Sequence, residues 1–145
     1  MLTEDSVVLI TCDWLISQGW HIHSHCLGTS KGDDIVAKDV SGKTLLVECK
    51  GSVSPRTGSE FSGTYLWRST SGALFNCLRA IERDKVSASI AIALPNVGSY
   101  QGLLGDMQDF FIRNNLLVFW VEPAGVVSVW QAGNSFKPVQ LRGTA

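Results

Sequence analysis

The chain has almost no net charge. Twelve Lys and Arg stand against 13 Asp and Glu, giving −1 at pH 7 over 145 residues. That balance argues against a protein that coats nucleic acid through bulk electrostatics. No apolar run reaches the ~20 residues needed to span a bilayer, so no membrane span is expected. The opening Met1-Leu2-Thr3-Glu4-Asp5 is acidic where a secretory signal would be basic, which points to a cytoplasmic location. Cys12, Cys26, Cys49 and Cys77 show no Cys-x-x-Cys spacing, and each lies in an apolar segment. Structural thiols in a reducing cytosol are expected in preference to disulfides or zinc ligands.

What is present is enough apolar sequence, 45%, for a folded core, and a length that suits one domain. We expect that domain over residues 1–132, followed by a partly disordered tail over 133–145. Thr3 is a candidate N-cap for a helix over 4–18, with Glu4 and Asp5 in the first turn, where the helix dipole favours anions, and Gly19 as the stop. Strands are expected near 20–26, 34–39 and 44–50. Residues 52–71 are rich in Ser, Gly and Thr and read as a loop, mobile until substrate orders it. Ser71 then caps a helix over 72–84, with Leu74, Leu78 and Ile81 inward and Arg79 and Arg83 outward. Ala88–Leu94 reads as a central strand buried on both faces. A helix over 99–114 follows, then strands at 116–122 and 126–131 around a Pro-Ala-Gly turn. The fold class expected is α/β: an αβββαβ core with a mixed central sheet flanked by helices, plus a C-terminal α-β-β extension.

The residues that carry chemistry lie between Gly32 and Gly51. Asp34 opens one short apolar run, and Glu48 and Lys50 close the next. Charged residues at the end of a buried strand are rare unless paired or bound to a metal. Side chains alternate along a strand, so Glu48 and Lys50 share a face and Cys49 points the other way. A three-residue loop at Val40-Ser41-Gly42, with Gly42 left-handed, would pair Asp39 with Lys43. It would also set Asp34 opposite Glu48, with Cβ atoms roughly 5 Å apart. A two-residue loop at Ser41-Gly42 would turn Asp34 to the opposite face. Two carboxylates and an ammonium gathered in this way suit a divalent cation and a phosphate ester.

An Asp on the second strand and Glu-x-Lys on the third, inside an αβββαβ core, resembles the PD-(D/E)XK nuclease superfamily of restriction-endonuclease-like fold. The resemblance covers about residues 4–95. Gly32-Asp33-Asp34-Ile35 followed by Val47-Glu48-Cys49-Lys50 is most similar to the small Holliday-junction-resolvase and Mrr-like group. The position where the family often has Pro holds Asp33, read as a turn residue facing away from the site. The resemblance implies a Mg²⁺-dependent nuclease, acting on DNA, with Mn²⁺ able to substitute. It assigns Asp34, Glu48 and the Cys49 backbone carbonyl to the metal, and Lys50 to orienting or deprotonating the attacking water or to stabilising the transition state. Related nucleases often add an acid from the first helix, for which Glu4 is the candidate, against a plain role as a helix-start charge.

Other features leave alternatives open. His21, His23 and His25 alternate and so share a face, which suits an exposed edge strand better than a zinc site lacking further ligands. Arg56, Trp67 and Arg68 are candidate nucleic-acid contacts, Trp67 by stacking, although a loop aromatic can equally fold back onto the core. A homodimer is compatible with the sequence. The alternative to a nuclease is a catalytically inactive interaction or nucleic-acid-binding module on the same fold, which the slightly acidic charge favours.

Overall fold

Thr3 sits in extended backbone and its hydroxyl accepts from the Ser6 amide at 3.2 Å, filling one of the donors a helix start leaves open. The helix it caps, α1, runs Glu4–Ser17. The computed structural model describes residues 1–83 and 88–130. The tail expected from residue 133 and the last residue of the expected final strand, 131, lie outside them. After α1 come β1 (His21–His25), β2 (Ile35–Lys38), β3 (Thr44–Cys49), α2 (Gly63–Arg83) and β4 (Ala88–Pro95). Then follow α3 (Gly98–Gly105), α4 (Gln108–Arg113), β5 (Leu116–Val121) and β6 (Val127–Trp130).

The strands form one six-stranded mixed sheet in the order β1-β2-β3-β4-β5-β6. β1–β2, β2–β3 and β5–β6 are antiparallel, while β3–β4 and β4–β5 are parallel. The two parallel steps move in the same direction across the sheet. Crossovers of one hand that step the same way put their helices on one face. Accordingly α2, α3 and α4 pack together over Leu46, Ile90, Ile92, Leu94 and Val118. The opposite face belongs to α1, whose Val7, Val8 and Leu15 pack on Ile35, Leu45, Val47, Ala91 and Ala93. Ala91 and Ala93 of β4 face α1 and its isoleucines face α2, so the strand is buried on both sides, as its nearly all-apolar run suggests. The fold is therefore α/β with a mixed sheet flanked by helices.

The β2–β3 hairpin has the three-residue loop. The Asp39 amide donates to the Lys43 carbonyl at 3.0 Å, and Gly42 adopts φ +83°, a conformation that only glycine takes without cost. The Asp39 carboxylate caps the loop from inside, accepting from the Ser41 and Lys43 amides at 2.9 Å each and from the Ser41 hydroxyl at 2.7 Å. Ile35 pairs with Val47 and Lys38 with Thr44. Extending that register by one residue sets Asp34 opposite Glu48.

Four expectations are corrected. First, α2 begins at Gly63 rather than at 72, so half of the supposed mobile loop is helix. Its inward line is Leu66, Thr70, Ala73, Cys77 and Ala80. Small residues let it lie close to the sheet, and the Thr70 hydroxyl is satisfied by the Leu66 carbonyl at 2.8 Å. Leu78 is exposed, not inward, and Ser71 is inside the helix with its hydroxyl on the Trp67 carbonyl. Second, residues 52–62 are pinned rather than structureless, by a bridge between Val53 and Glu60 and by the Phe61 amide on the Ser52 carbonyl at 3.0 Å. Third, the helix expected over 99–114 is two helices, α3 and α4, which meet at Asp106 and Met107. Fourth, the register of β1 slips between Ile22 and Ser24, where His23 bulges. His21 then pairs with Lys38 and His25 with Ile35, which lie on opposite faces, so the three histidines do not share one.

The end of β3 is fastened to the start of α1. The Ser52 amide donates to the Leu2 carbonyl at 2.8 Å, and the Leu2 amide donates to the Ser52 hydroxyl at 3.3 Å. Between them Gly51 passes so close that a Cβ would lie 2.4 Å from the Glu4 nitrogen and 2.8 Å from the Leu2 carbonyl oxygen. Both are backbone atoms that cannot swing aside. Gly51→Ala is expected to cost about 2 kcal/mol or more of stability in urea unfolding; an unchanged midpoint would mean that the seam is loose.

Candidate functional site

The charged residues gather at the carboxyl end of β3, beside β4, with the first turn of α1 drawn over it by the Gly51 seam. Glu48 lies on the face that carries α2, where Asn76 reaches it, and Lys50 follows just beyond the end of β3. Lys50 Nζ is 3.4 Å from Glu48 Oε1 and 3.3 Å from Glu4 Oε2. Asp34 Oδ2 accepts from the Cys49 amide at 2.7 Å, which locks the start of β2 to the end of β3. The structure thus brings Asp34, Glu48, Lys50 and Glu4 to one place. Glu4 reaches it by touching Lys50, and its side chain is 44% exposed, whereas that of Glu48 is 14% exposed.

Burial sets the electrostatics. Asp34 is pushed up to about 6 from 3.8, chiefly by loss of water, with Glu48 and Glu4 adding to the rise and the Cys49 amide and Lys50 opposing it. Burial alone would draw Lys50 down, but Glu4, Glu48 and Asp34 together outweigh it and leave its pKa raised. Lys50 is therefore a firmly held ammonium at neutral pH. The Cys49 thiol is fully buried and is pushed well above its ordinary value by that burial, with the acids adding, so it is an inert side chain. Among the described residues, no three His, Cys, Asp or Glu side chains gather closely enough to hold a metal by themselves.

Three contributors escape a reading of the sequence alone. Asn76, from α2, donates its side-chain amide to Glu48 Oε1 at 2.9 Å. Tyr100, from α3, is fully buried and donates its hydroxyl to the Gly51 carbonyl at 2.7 Å, bracing the turn that follows Lys50. Asp33 does not face away: it lies outside β2, where strand parity does not apply, and pairs with Arg83 of α2 at 3.2 Å. The nucleic-acid candidates are dispersed. Arg56 is exposed in the turn after Pro55. Trp67, 60% exposed, and Arg68 sit on the first half of α2 and not in a loop, so Trp67 does not fold back onto the core. All three histidines of β1 are exposed. The described cysteines are free thiols, with burial raising Cys12 to about 11 and Cys77 to about 12.

The fold and the carboxylate–lysine site together define an α/β protein with a charged crevice at the end of its parallel strands. Two solved structures share the fold. An XisH family protein from Nostoc punctiforme PCC 73102 aligns with a TM-score of 0.56 at 20% identity, over 86% of this chain and 95% of that one. An fdxN element excision controlling factor protein from Anabaena variabilis aligns at 0.54 and 20% identity, over 84% and 92%. No protein-family model matches the chain, and no curated protein matches it either. Among the described residues no helix is long and apolar enough to cross a membrane.

A carboxyl group whose folded pKa lies above its unfolded value favours folding below the unfolded pKa and loses that contribution as pH rises through the folded one. For Asp34 the loss falls between about 4 and 6. Asp34→Asn keeps an oxygen for the Cys49 amide and removes the charge. In chelator, its melting temperature should exceed that of the wild type at pH 7.5, and the difference should vanish near pH 4. An equal difference at both pH values would contradict the assigned cause.

Proposed function

We propose that the chain is a Mg²⁺-dependent nuclease of the PD-(D/E)XK type that hydrolyses phosphodiester bonds, in DNA. The observation that carries this reading is the meeting of Asp34, Glu48 and Lys50 at the carboxyl end of β3. The excision-controlling role named for one protein of similar fold leads us to favour DNA over RNA.

The donor set fits a hard cation. Glu48 and Glu4 flank the Lys50 ammonium and the half-buried Asp34 carboxylate lies beside them, so oxygen donors outnumber the cation there. Mg²⁺ prefers oxygen ligands and keeps several waters, so it needs no cage of three acids. Asp34, Glu48 and the Cys49 carbonyl would hold it. When bound, it supplies a Lewis acid for the phosphate and an acidified water. Glu48 is turned toward the crevice by Asn76. Lys50, beside Glu48, is placed to act on the attacking water or to donate to the phosphate oxygens. Glu4 steadies the ammonium through the 3.3 Å contact and is thereby a positioning residue.

One observation favours a second reading, an inactive binding module: Lys50 is already engaged by two carboxylates, as in an ion pair that merely latches α1 to β3. Metal affinity and cleavage separate the two. Lys50→Ala should lower cleavage by about 10²-fold or more while Mn²⁺ affinity in calorimetry stays near wild type. Glu48→Ala should lose both. Unchanged cleavage by Lys50→Ala, or equal Mn²⁺ affinity for Glu48→Ala and wild type, would rule out the nuclease mechanism.

A further inference from the structure

Beside the crevice, an open groove of about 830 Å³ leads away from Glu48 between α2 and the segment that precedes β2. Its walls carry three cations, Lys31, Arg79 and Arg83, against three acids, Asp33, Glu48 and Glu82. Arg83 and Asp33 are matched to each other at 3.2 Å. Asn76, Arg79 and Arg83 are spaced three and four apart on α2, so they form one row along the groove. The first of that row bonds Glu48, so the row starts at the proposed site of chemistry and runs away from it.

We propose that this groove seats the phosphodiester backbone flanking the scissile phosphate, with Arg79 and Lys31 contacting its phosphates and Asn76 marking its entry to the site. The proposal rests on the nuclease reading and adds a path for the nucleic acid. Both cations are exposed, and both line a channel open to solvent. A guanidinium offers phosphate a bidentate fork, and a lysine offers a point charge. The groove's balanced charge also fits the chain's overall −1: contacts are local and few, and binding does not depend on a broad basic surface. This path differs from the one suggested by Arg56, Trp67 and Arg68, which lie on the loop before α2 and on its first half.

Binding of a fluorescein-labelled DNA duplex, measured by anisotropy in Ca²⁺ over a series of salt concentrations, tests the path. Arg79→Ala should weaken binding about tenfold and lower the salt slope by about one, and adding Lys31→Ala should lower it by about one more. Glu82→Gln should act in the opposite direction and tighten binding. Mn²⁺ affinity should stay at the wild-type value in every variant, because none of these residues is assigned to the metal. If Arg79→Ala and the double variant bind like the wild type while Arg56→Ala or Trp67→Ala weakens binding, the groove is not the path and the nuclease reading stands. If the wild type binds neither this duplex nor its single strand, the nuclease reading fails, and the groove proposal fails with it.

Discussion

The register of one hairpin governs the whole site. Side chains alternate with a period of two, so the parity of the β2–β3 loop decides whether Asp34 and Glu48 meet or face apart. The Asp39 carboxylate, bound to the Ser41 and Lys43 amides, and the left-handed Gly42 hold that loop at three residues. The Asp34 carboxylate then closes onto the Cys49 amide, so a group assigned to the metal also helps fix the strand end that carries the others. Geometry and chemistry are coupled there.

A second constraint works from the other face of the sheet. Ala91 and Ala93 of β4 let α1 lie close, and Gly51 lets the chain after β3 pass directly beneath the first turn of that helix. The result is that Glu4, from the opposite layer, touches Lys50. Tyr100 braces the same turn from the α3 side. Elements from both faces therefore converge on the three residues 49–51. The acids outnumber the ammonium, a balance that a divalent cation would reverse, and burial together with the neighbouring acids raises the Asp34 pKa.

The β2–β3 hairpin and the shared face of Glu48 and Lys50 were legible because both follow from period-two alternation and one glycine. The central strand was legible from its nearly all-apolar run, and α1 from Thr3 and Gly19. Misreadings arose where tertiary packing overrides local signals. Residues 63–71 have the composition of a loop, yet a helix forms there because Leu66, Thr70 and Ala73 bury against the sheet. The large residues Leu74, Leu78 and Ile81 suggest an inward line one residue away from the true one of Ala73, Cys77 and Ala80, because small residues give a weak signal, and that shift hides Asn76. The slip at His23 leaves no mark in an alternating His-x-His-x-His pattern. Strand parity does not reach Asp33, which precedes β2, so nothing local points to its partner Arg83. In each case the missing information lay between segments distant along the chain.

The central claim is that Asp34 and Glu48 form one cation site beside Lys50. Anomalous diffraction from crystals soaked in Mn²⁺ tests it most directly. The account predicts a single strong peak within coordination distance of a carboxylate oxygen from each of Asp34 and Glu48, and none at the histidines of β1. A peak that touches neither carboxylate, or an empty crevice at Mn²⁺ concentrations that saturate other sites, would contradict it.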